Sequence, residues 1–413
     1  MSSRFPPPPK PYRRPRRARR PALLGALAIG LVTGTLIGLS AKGPASSSVL
    51  RPLEPASPAP QVQPVRADTL LAWTPGELPA GWGKTVGRIR GVEHAVSVVS
   101  GTAWLSSSFS ADGARVDLPP AGLTIPIEVA GADLASYQPF MSPSDRSFLP
   151  ALARREAVMG VTEAAIRHLG PGATLVFGNA KVRVAGIVPD AEIGAHEIFM
   201  ARSAANRLGI KVARYLLVDP GARTSRRRLT SRMRATLPPG LPLRVRGPGE
   251  TPFFRQGDAV LPPVQLKELF GEFAARPTTG GFLVIDSAWV RTHIVNATVP
   301  VLGTVTCNRA IIPQLRGALA EIEREGLSRL IPRRDYAGCY SSRFINRNPE
   351  AGISHHAWGV AFDVNVSRNP FGRTPHQDPR VVAIFEQWGF TWGGRWLRPD
   401  GMHFEFVRFP TGA

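Results

Sequence analysis

The chain has 413 residues, 51 Lys and Arg against 30 Asp and Glu, a formal net charge of +21 and two cysteines. That length exceeds one ordinary core, so two folded units with tails are expected. Eight basic residues (Arg4, Lys10, Arg13, Arg14, Arg16, Arg17, Arg19 and Arg20) fall in the first twenty positions, and subtracting eight from +21 leaves +13, spread thinly and without interleaved aromatics. No compact basic footprint remains, which argues against a nucleic-acid partner and suits an anionic surface such as a cell wall or lipid head groups.

Residues 1–20 therefore read as a basic cytoplasmic tail. The next segment, 21–41, is rich in Leu, Ala, Ile and Gly and carries no charge. About twenty such residues span a bilayer as a helix, and the arginines before it put the N-terminus in the cytoplasm. The rival is a cleaved signal peptide, for which Leu39-Ser40-Ala41 is a poor site. The expectation is a retained single-pass anchor in the cell membrane, with everything beyond it extracytoplasmic. Residues 42–66, with Pro52, Pro55, Pro58, Pro60 and Pro64, read as an extended linker.

From 67 to 236 a folded middle domain is expected, with a possible protein partner as its role. Ala95-Val96-Ser97-Val98-Val99 has strand character, and Ala151 to His168 has apolar residues at helical spacing. Thr174 to Gly186 reads as a hairpin turning at Gly178-Asn179. His94, His168 and His196 are scattered without partners at ligand spacing, so structural or surface roles are the default, and Arg226-Arg227-Arg228 reads as a solvated face. On its hairpin, its Val-Ala-Gly-Ile-Val-x-Asp strand end and its Ala204-Ala205 helix, the run from Glu156 to Asp219 resembles the extracytoplasmic domain of MacB/FtsX-type permeases, a likeness that implies a fold rather than a chemistry.

A Pro/Gly-rich linker is expected over 237–263, and an α+β unit over 264–411. Ile311 to Gly326 and Pro379 to Gly389 read as helices, and Val360 to Val366 and Met402 to Val407 as strands. Cys307 and Cys339 both fall here, and outside a cell a pair of cysteines reads as a disulfide.

The chemistry concentrates in Ser354-His355-His356-Ala357-Trp358-Gly359-Val360-Ala361-Phe362-Asp363 and Asp400-Gly401-Met402-His403-Phe404-Glu405. A catalytic zinc takes three protein ligands and an open position, and His356, Asp363 and His403 meet that requirement. Gly359 permits a turn between His356 and a strand carrying Asp363. His403 and Glu405 share one face of a second strand, which leaves Glu405 to orient an imidazole. Asp400 is the surplus carboxylate, placed to act as a general base. Arg343, in Tyr340-Ser341-Ser342-Arg343, is the cation for an oxyanion or a substrate carboxylate. His355 is adjacent to a ligand and would point away in an extended segment, so it is expected behind the ligands or at the surface rather than as a ligand, and His376 has no assigned role.

Ser354-x-His356-x-x-Gly359-x-Ala361-x-Asp363 followed by Asp400-x-x-His403-Phe404-Glu405 resembles the VanY-type D-alanyl-D-alanine carboxypeptidase and L-alanyl-D-glutamate peptidase family. Val299-Pro300-Val301-Leu302-Gly303, Asn308-Arg309, Trp388-Gly389-Phe390 and Trp392-Gly393-Gly394 also resemble it. The resemblance implies Zn2+ at His356, Asp363 and His403, a base at Asp400, substrate anchoring at Arg343 and Ser354 with Tyr340 beside them, and peptidoglycan stem peptides as substrate. Asp400 departs from the Glu common in dipeptidase and carboxypeptidase members and leans towards cutting within the stem. The alternative is a cell-wall-binding or sensor module that keeps a zinc site without turnover, and Asp400 argues against it. The expected architecture is α+β: an N-terminal transmembrane helix, a separate α/β middle domain, and a C-terminal zinc peptidase domain with a small antiparallel sheet and flanking helices.

Overall fold

The structure, a computed structural model, describes residues 68–409 apart from positions 223, 252, 259 and 260. The basic tail, the expected anchor at 21–41 and the linker 42–66 lie outside the described residues. Among the described residues no helix is long and apolar enough to cross a membrane.

The fold is mixed α/β with several sheets. Eleven strands form the largest: β1 (Leu70–Trp73), β2 (Val92–Leu105), β3 (Ser107–Phe109), β4 (Arg115–Asp117), β5 (Ile125–Ala132), β6 (Ala157–Gly160), β7 (Thr174–Phe177), β8 (Ala180–Val188), β9 (Ile198–Ala201), β10 (Ala213–Pro220) and β11 (Arg244–Arg246). Their order is β11-β1-β10-β2-β5-β9-β6-β8-β7-β3-β4, with β5–β9 and β6–β8 parallel and the other pairs antiparallel. The valines of β2 suit a pleated, buried strand; Val98 and Val99 are fully buried, and β2 lies between β10 and β5. The β7–β8 hairpin turns at Gly178-Asn179, where Gly178 takes a φ of 58° and Phe177 pairs with Ala180.

The stretch Ala151 to His168 is not one helix. A short helix, Leu149–Ala153, ends before Arg155, whose φ is 74°; Ala157–Gly160 then runs as β6, and Val161–Arg167 is a second helix ending at His168 in the left-handed region. The apolar run Ala157-Val158-Met159 fits a buried strand as well as a helix face, and pairing with β8 and β9 decides between them. Strand β11 lies inside the expected linker 237–263, and it pairs with β1 at the edge of the sheet.

The C-terminal region holds β12 (Ala275–Pro277) with β13 (Leu283–Ile285), β14 (Ile294–Val299) with β15 (Gly303–Asn308), and an antiparallel sheet of β16 (Tyr336–Gly338), β17 (Ala361–Val364), β18 (Phe390–Trp392) and β19 (His403–Phe406). The order of that sheet is β16-β17-β19-β18. The helices Ile312–Arg324 and Pro379–Gln387 cover it. Phe362 and Phe404, opposite each other on β17 and β19, stack at 5.5 Å and pack with Phe385 and Phe390 in the core. Because side chains alternate along a strand, a core-facing Phe362 and Phe404 leave Asp363 and His403 on the opposite face.

A buried ion network links this region to the large sheet. Arg167 meets Glu163, Asp117 and Glu272, and Lys267 meets Glu197, Glu272 and the Pro126 carbonyl. Glu163, Glu197 and Glu272 lie close enough together to suggest a metal site. Two buried cations already answer those three carboxylates, so the cluster is an ion network rather than a metal centre.

Candidate metal centre

His356 sits in the tight turn His355–Trp358, whose first residue is preceded by Ser354; the Ser354 hydroxyl accepts from the His356 backbone N–H. Gly359 ends the turn with a φ of 68°. A Cβ there would come within 2.7 Å of the Asn308 backbone nitrogen, so only glycine suits the position. The chain then enters β17, where Asp363 lies directly opposite His403 of β19.

These placements bring His356, Asp363 and His403 together. His356 Nε2 is 3.3 Å from Asp363 Oδ2 and 3.2 Å from His403 Nδ1, which is itself 3.1 Å from Asp363 Oδ1. Hydrogen bonds on the far ring edges fix the tautomers. His356 Nδ1 lies 2.7 Å from the Cys339 carbonyl, which can only accept, so Nδ1 carries the proton and Nε2 a lone pair. His403 Nε2 donates to Glu405 Oε2 at 3.2 Å, which leaves its Nδ1 facing inward. Two imidazole lone pairs and a carboxylate thus converge on one point, and such a donor set suits a divalent metal with His and Asp ligands.

The electrostatics favour a cation at this point, either a proton on His403 Nδ1 or a metal that takes that proton's place. Burial works against charge on His403, yet hydrogen bonds to Asp363 and Glu405 push its pKa up to about 10. Burial would raise Asp363, but His356 and His403 hold it well below the usual carboxylate range. Burial would likewise raise Glu405, and His355 with His403 holds it low. This is a centre that attracts positive charge.

Asp400 precedes the turn into β19, with its backbone N–H donating to Gly393. Its Oδ1 is buried without a hydrogen-bond partner among the described residues. Burial raises its carboxyl above the ordinary value, and His403, Asp363, His356 and Arg343 are all within electrostatic reach. A buried carboxylate oxygen left free beside a metal-type centre is placed to accept a proton. Arg343 and Tyr340 lie on the half-buried segment following β16. Burial raises Tyr340, against a hydrogen bond from Ser342. Ser354 is buried, and its hydroxyl serves the turn.

The pair Cys307 and Cys339 is disulfide-bonded, joining β15 to the loop after β16. That bond anchors the residue whose carbonyl orients His356. One contribution escaped sequence reasoning, and one was expected. The Cys339 carbonyl carries no residue-type signal, because any residue supplies one. His355 is buried with Nδ1 2.8 Å from Glu405 Oε2, so its imidazole reaches His403 through that carboxylate, the first of the two places expected for it. Trp396 also packs its ring against His403, at 5.1 Å.

Residues 347–406 match a peptidase M15 family model described as D-alanyl-D-alanine carboxypeptidase. No curated protein matches the chain. Among solved structures, the periplasmic region of MacB from Actinobacillus actinomycetemcomitans is similar at 10% identity and a TM-score of 0.30, covering 44% of this chain and 90% of that one. The extracellular domain of the ABC-type transporter YknZ from Gram-positive bacteria is similar at 14% identity and a TM-score of 0.27, covering 40% of this chain and 87% of that one. Likenesses that distant carry no functional argument, although MacB is one of the two names given above to the resemblance of the middle region. The segment that holds His356, Asp363, Asp400, His403 and Glu405 is the part of the chain that resembles the M15 peptidases.

Proposed function

We propose that the chain is a zinc metallopeptidase that hydrolyses peptide bonds in peptidoglycan stem peptides, as a D-alanyl-D-alanine carboxypeptidase or an L-alanyl-D-glutamate endopeptidase. The observation that carries this reading is Asp400 Oδ1, buried without a hydrogen-bond partner among the described residues, beside three converging metal-type ligands. A module that only binds has no use for such a base. In this reading residues 21–41 anchor the chain in the cell membrane, 42–66 hold the rest away from it, and 264–411 form the catalytic domain outside. Residues 67–236 form a separate domain open to a protein partner, with 237–263 between the two.

His356, Asp363 and His403 would hold zinc, which when bound would supply Lewis acidity and lower the pKa of water towards neutrality. Asp400 accepts the proton of the attacking water and passes it to the leaving amine as the C–N bond breaks, so one group serves as base and then acid. Its raised pKa suits both roles. Arg343 neutralises a substrate carboxylate or the developing oxyanion, with Tyr340 and Ser354 assigned to substrate anchoring. Glu405 and the Cys339 carbonyl hold His403 and His356 in the ligating tautomers.

The reading is tested by mass spectrometry of purified peptidoglycan treated with the full chain, with chelated protein as control. Chelator-sensitive loss of a terminal D-Ala, or separation at L-Ala–D-Glu, supports it and tells the two bonds apart. Zinc binding with no fragment released from any stem peptide favours the binding module instead.

A further inference from the structure

Three extended segments meet just before the metal-bearing turn, and their register sets up a row of side chains. Phe282 lies directly opposite Arg343, and Phe344 directly opposite Ile353, both in antiparallel pairs. Backbone bonds flank the first pair, with Leu283 N–H donating to the Ser342 carbonyl and Phe344 N–H to that of Gly281. They flank the second likewise, from Ile345 to Gly352 and from Ser354 to Arg343. Opposite residues share a face, and neighbours along a strand alternate. Phe282, Arg343 and Ser354 therefore stand side by side on one face. Leu283, Phe344 and Ile353 take the other, and all three are buried in the core.

Exposure rises along the row away from the metal-type ligands. Ser354 is 5% exposed, Arg343 is half-buried and Phe282 is 38% exposed. Ser354 leads into the His355–Trp358 turn, and Arg343 is within electrostatic reach of Asp400. The row runs outward from the centre and does not stop at Arg343.

Arg347 occupies its outer end, with its guanidinium over the Phe282 ring, 4.8 Å from the centroid. Asn346 and Arg347 take φ of 52° and 57°, a left-handed pair that is costly for arginine. A Cβ at Gly281 would collide with the Arg347 carbonyl, so glycine there lets the two backbones close and hold this pose. Stacking engages the face of a guanidinium and leaves its in-plane N–H donors free. Arg347 is exposed, and no carboxylate lies within ion-pair distance of it among the described residues. Its charge is accessible and uncommitted.

A substrate that placed its C-terminal carboxylate on Arg343 would end there and leave Phe282 and Arg347 without a role. In a stem peptide the D-Glu residue is linked onward through its γ-carboxyl, so its α-carboxylate is free while the chain continues. Resting on the peptidase reading above, we propose that Phe282 and Arg347 form an outer substrate subsite and that the bond cut is L-Ala–D-Glu. The D-Glu α-carboxylate meets Arg343, the onward chain crosses Phe282, and a carboxylate of the following residue meets Arg347. Water adds across the bond, leaving the L-Ala carboxylate and the D-Glu amine.

The test compares L-Ala-γ-D-Glu-L-Lys with its C-terminal amide on the zinc-loaded full chain. The acid is expected to show a KM about tenfold below that of the amide. Arg347→Gln should raise KM for the acid about tenfold with kcat kept and leave the amide unchanged, while Arg347→Lys recovers part of the loss. Phe282→Leu, which keeps an apolar side chain but removes the stacking ring, should give a smaller loss of the same kind. Calorimetric titration of both peptides into Asp400→Asn reads the subsite whether or not the bond is cut. No turnover, with an Arg347-dependent preference for the acid in calorimetry, would sink the peptidase reading and leave the subsite supported. Equal binding of acid and amide, an unchanged preference in Arg347→Gln, or no saturable binding up to about 10 mM would overturn the proposal. So would release of terminal D-Ala from L-Ala-γ-D-Glu-L-Lys-D-Ala-D-Ala with its L-Ala–D-Glu bond left whole.

Discussion

The two metal-type histidines are held by acceptors outside their own centre, and those acceptors set what each ring nitrogen can do. Glu405→Gln removes the charge that fixes the His403 tautomer, and is expected to lower zinc affinity about 10- to 100-fold. Competition with a chromophoric chelator measures this; unchanged affinity would remove Glu405 from the account. A different histidine adds an acid dependence to stability. His196 is fully buried, and burial together with Arg255 pushes its pKa down from 6.5 to about 4. The unfolded chain thus takes up this proton first. Stability is full above about pH 6.5 and is lost as pH falls towards 4, by up to about 3 kcal/mol. Urea unfolding at pH 7 and pH 4.5 should show that loss shrink in His196→Gln; an identical loss in both proteins would refute it. The convergence of His356, Asp363 and His403 was legible because residue type and spacing declare ligand chemistry. The Cys339 carbonyl was not legible, since backbone groups leave no trace in residue type.

At the scale of elements, the disulfide ties β15 to the loop that orients His356. Replacing both cysteines by serine is expected to cost about 3–4 kcal/mol, from the entropy of a loop of this length in the unfolded chain. Weaker zinc binding should accompany it, because the Cys339 carbonyl loses its anchor. Parallel denaturant melts and metal titrations check both, and a stability loss with zinc affinity intact would separate the disulfide from the metal centre. The strands β17 and β19 were readable because Phe362 and Phe404 alternate with Asp363 and His403, and period two has one structural meaning. The stretch Ala151 to His168 was not, because its strand β6 is short and apolar throughout and only its partners β8 and β9 identify it. Strand β11 escaped for the opposite reason. Arg244-Val245-Arg246 is mostly charged, and its place at the edge comes from pairing with β1.

For the whole molecule, the seam between the large sheet and the C-terminal region is ionic at its heart. Lys267 is 3% exposed and answers both Glu197 and Glu272. Lys267→Met leaves two buried carboxylates short of a cation and is expected to destabilise by about 3–5 kcal/mol. Urea unfolding gives the value, and a loss under about 1 kcal/mol would mean the network is solvated in solution. Nothing in the sequence marked Glu197, Lys267 and Glu272, which are separated by up to 75 positions and look like ordinary surface charges. The central claim concerns Asp400, proposed as the base beside the metal-type ligands. Its most direct test is to follow stem-peptide release and bound zinc together in wild type and Asp400→Asn. Fragment release that falls about 100-fold or more with zinc content unchanged is the predicted result. Release undiminished in the variant, or a wild type that holds zinc and cuts nothing, would contradict it.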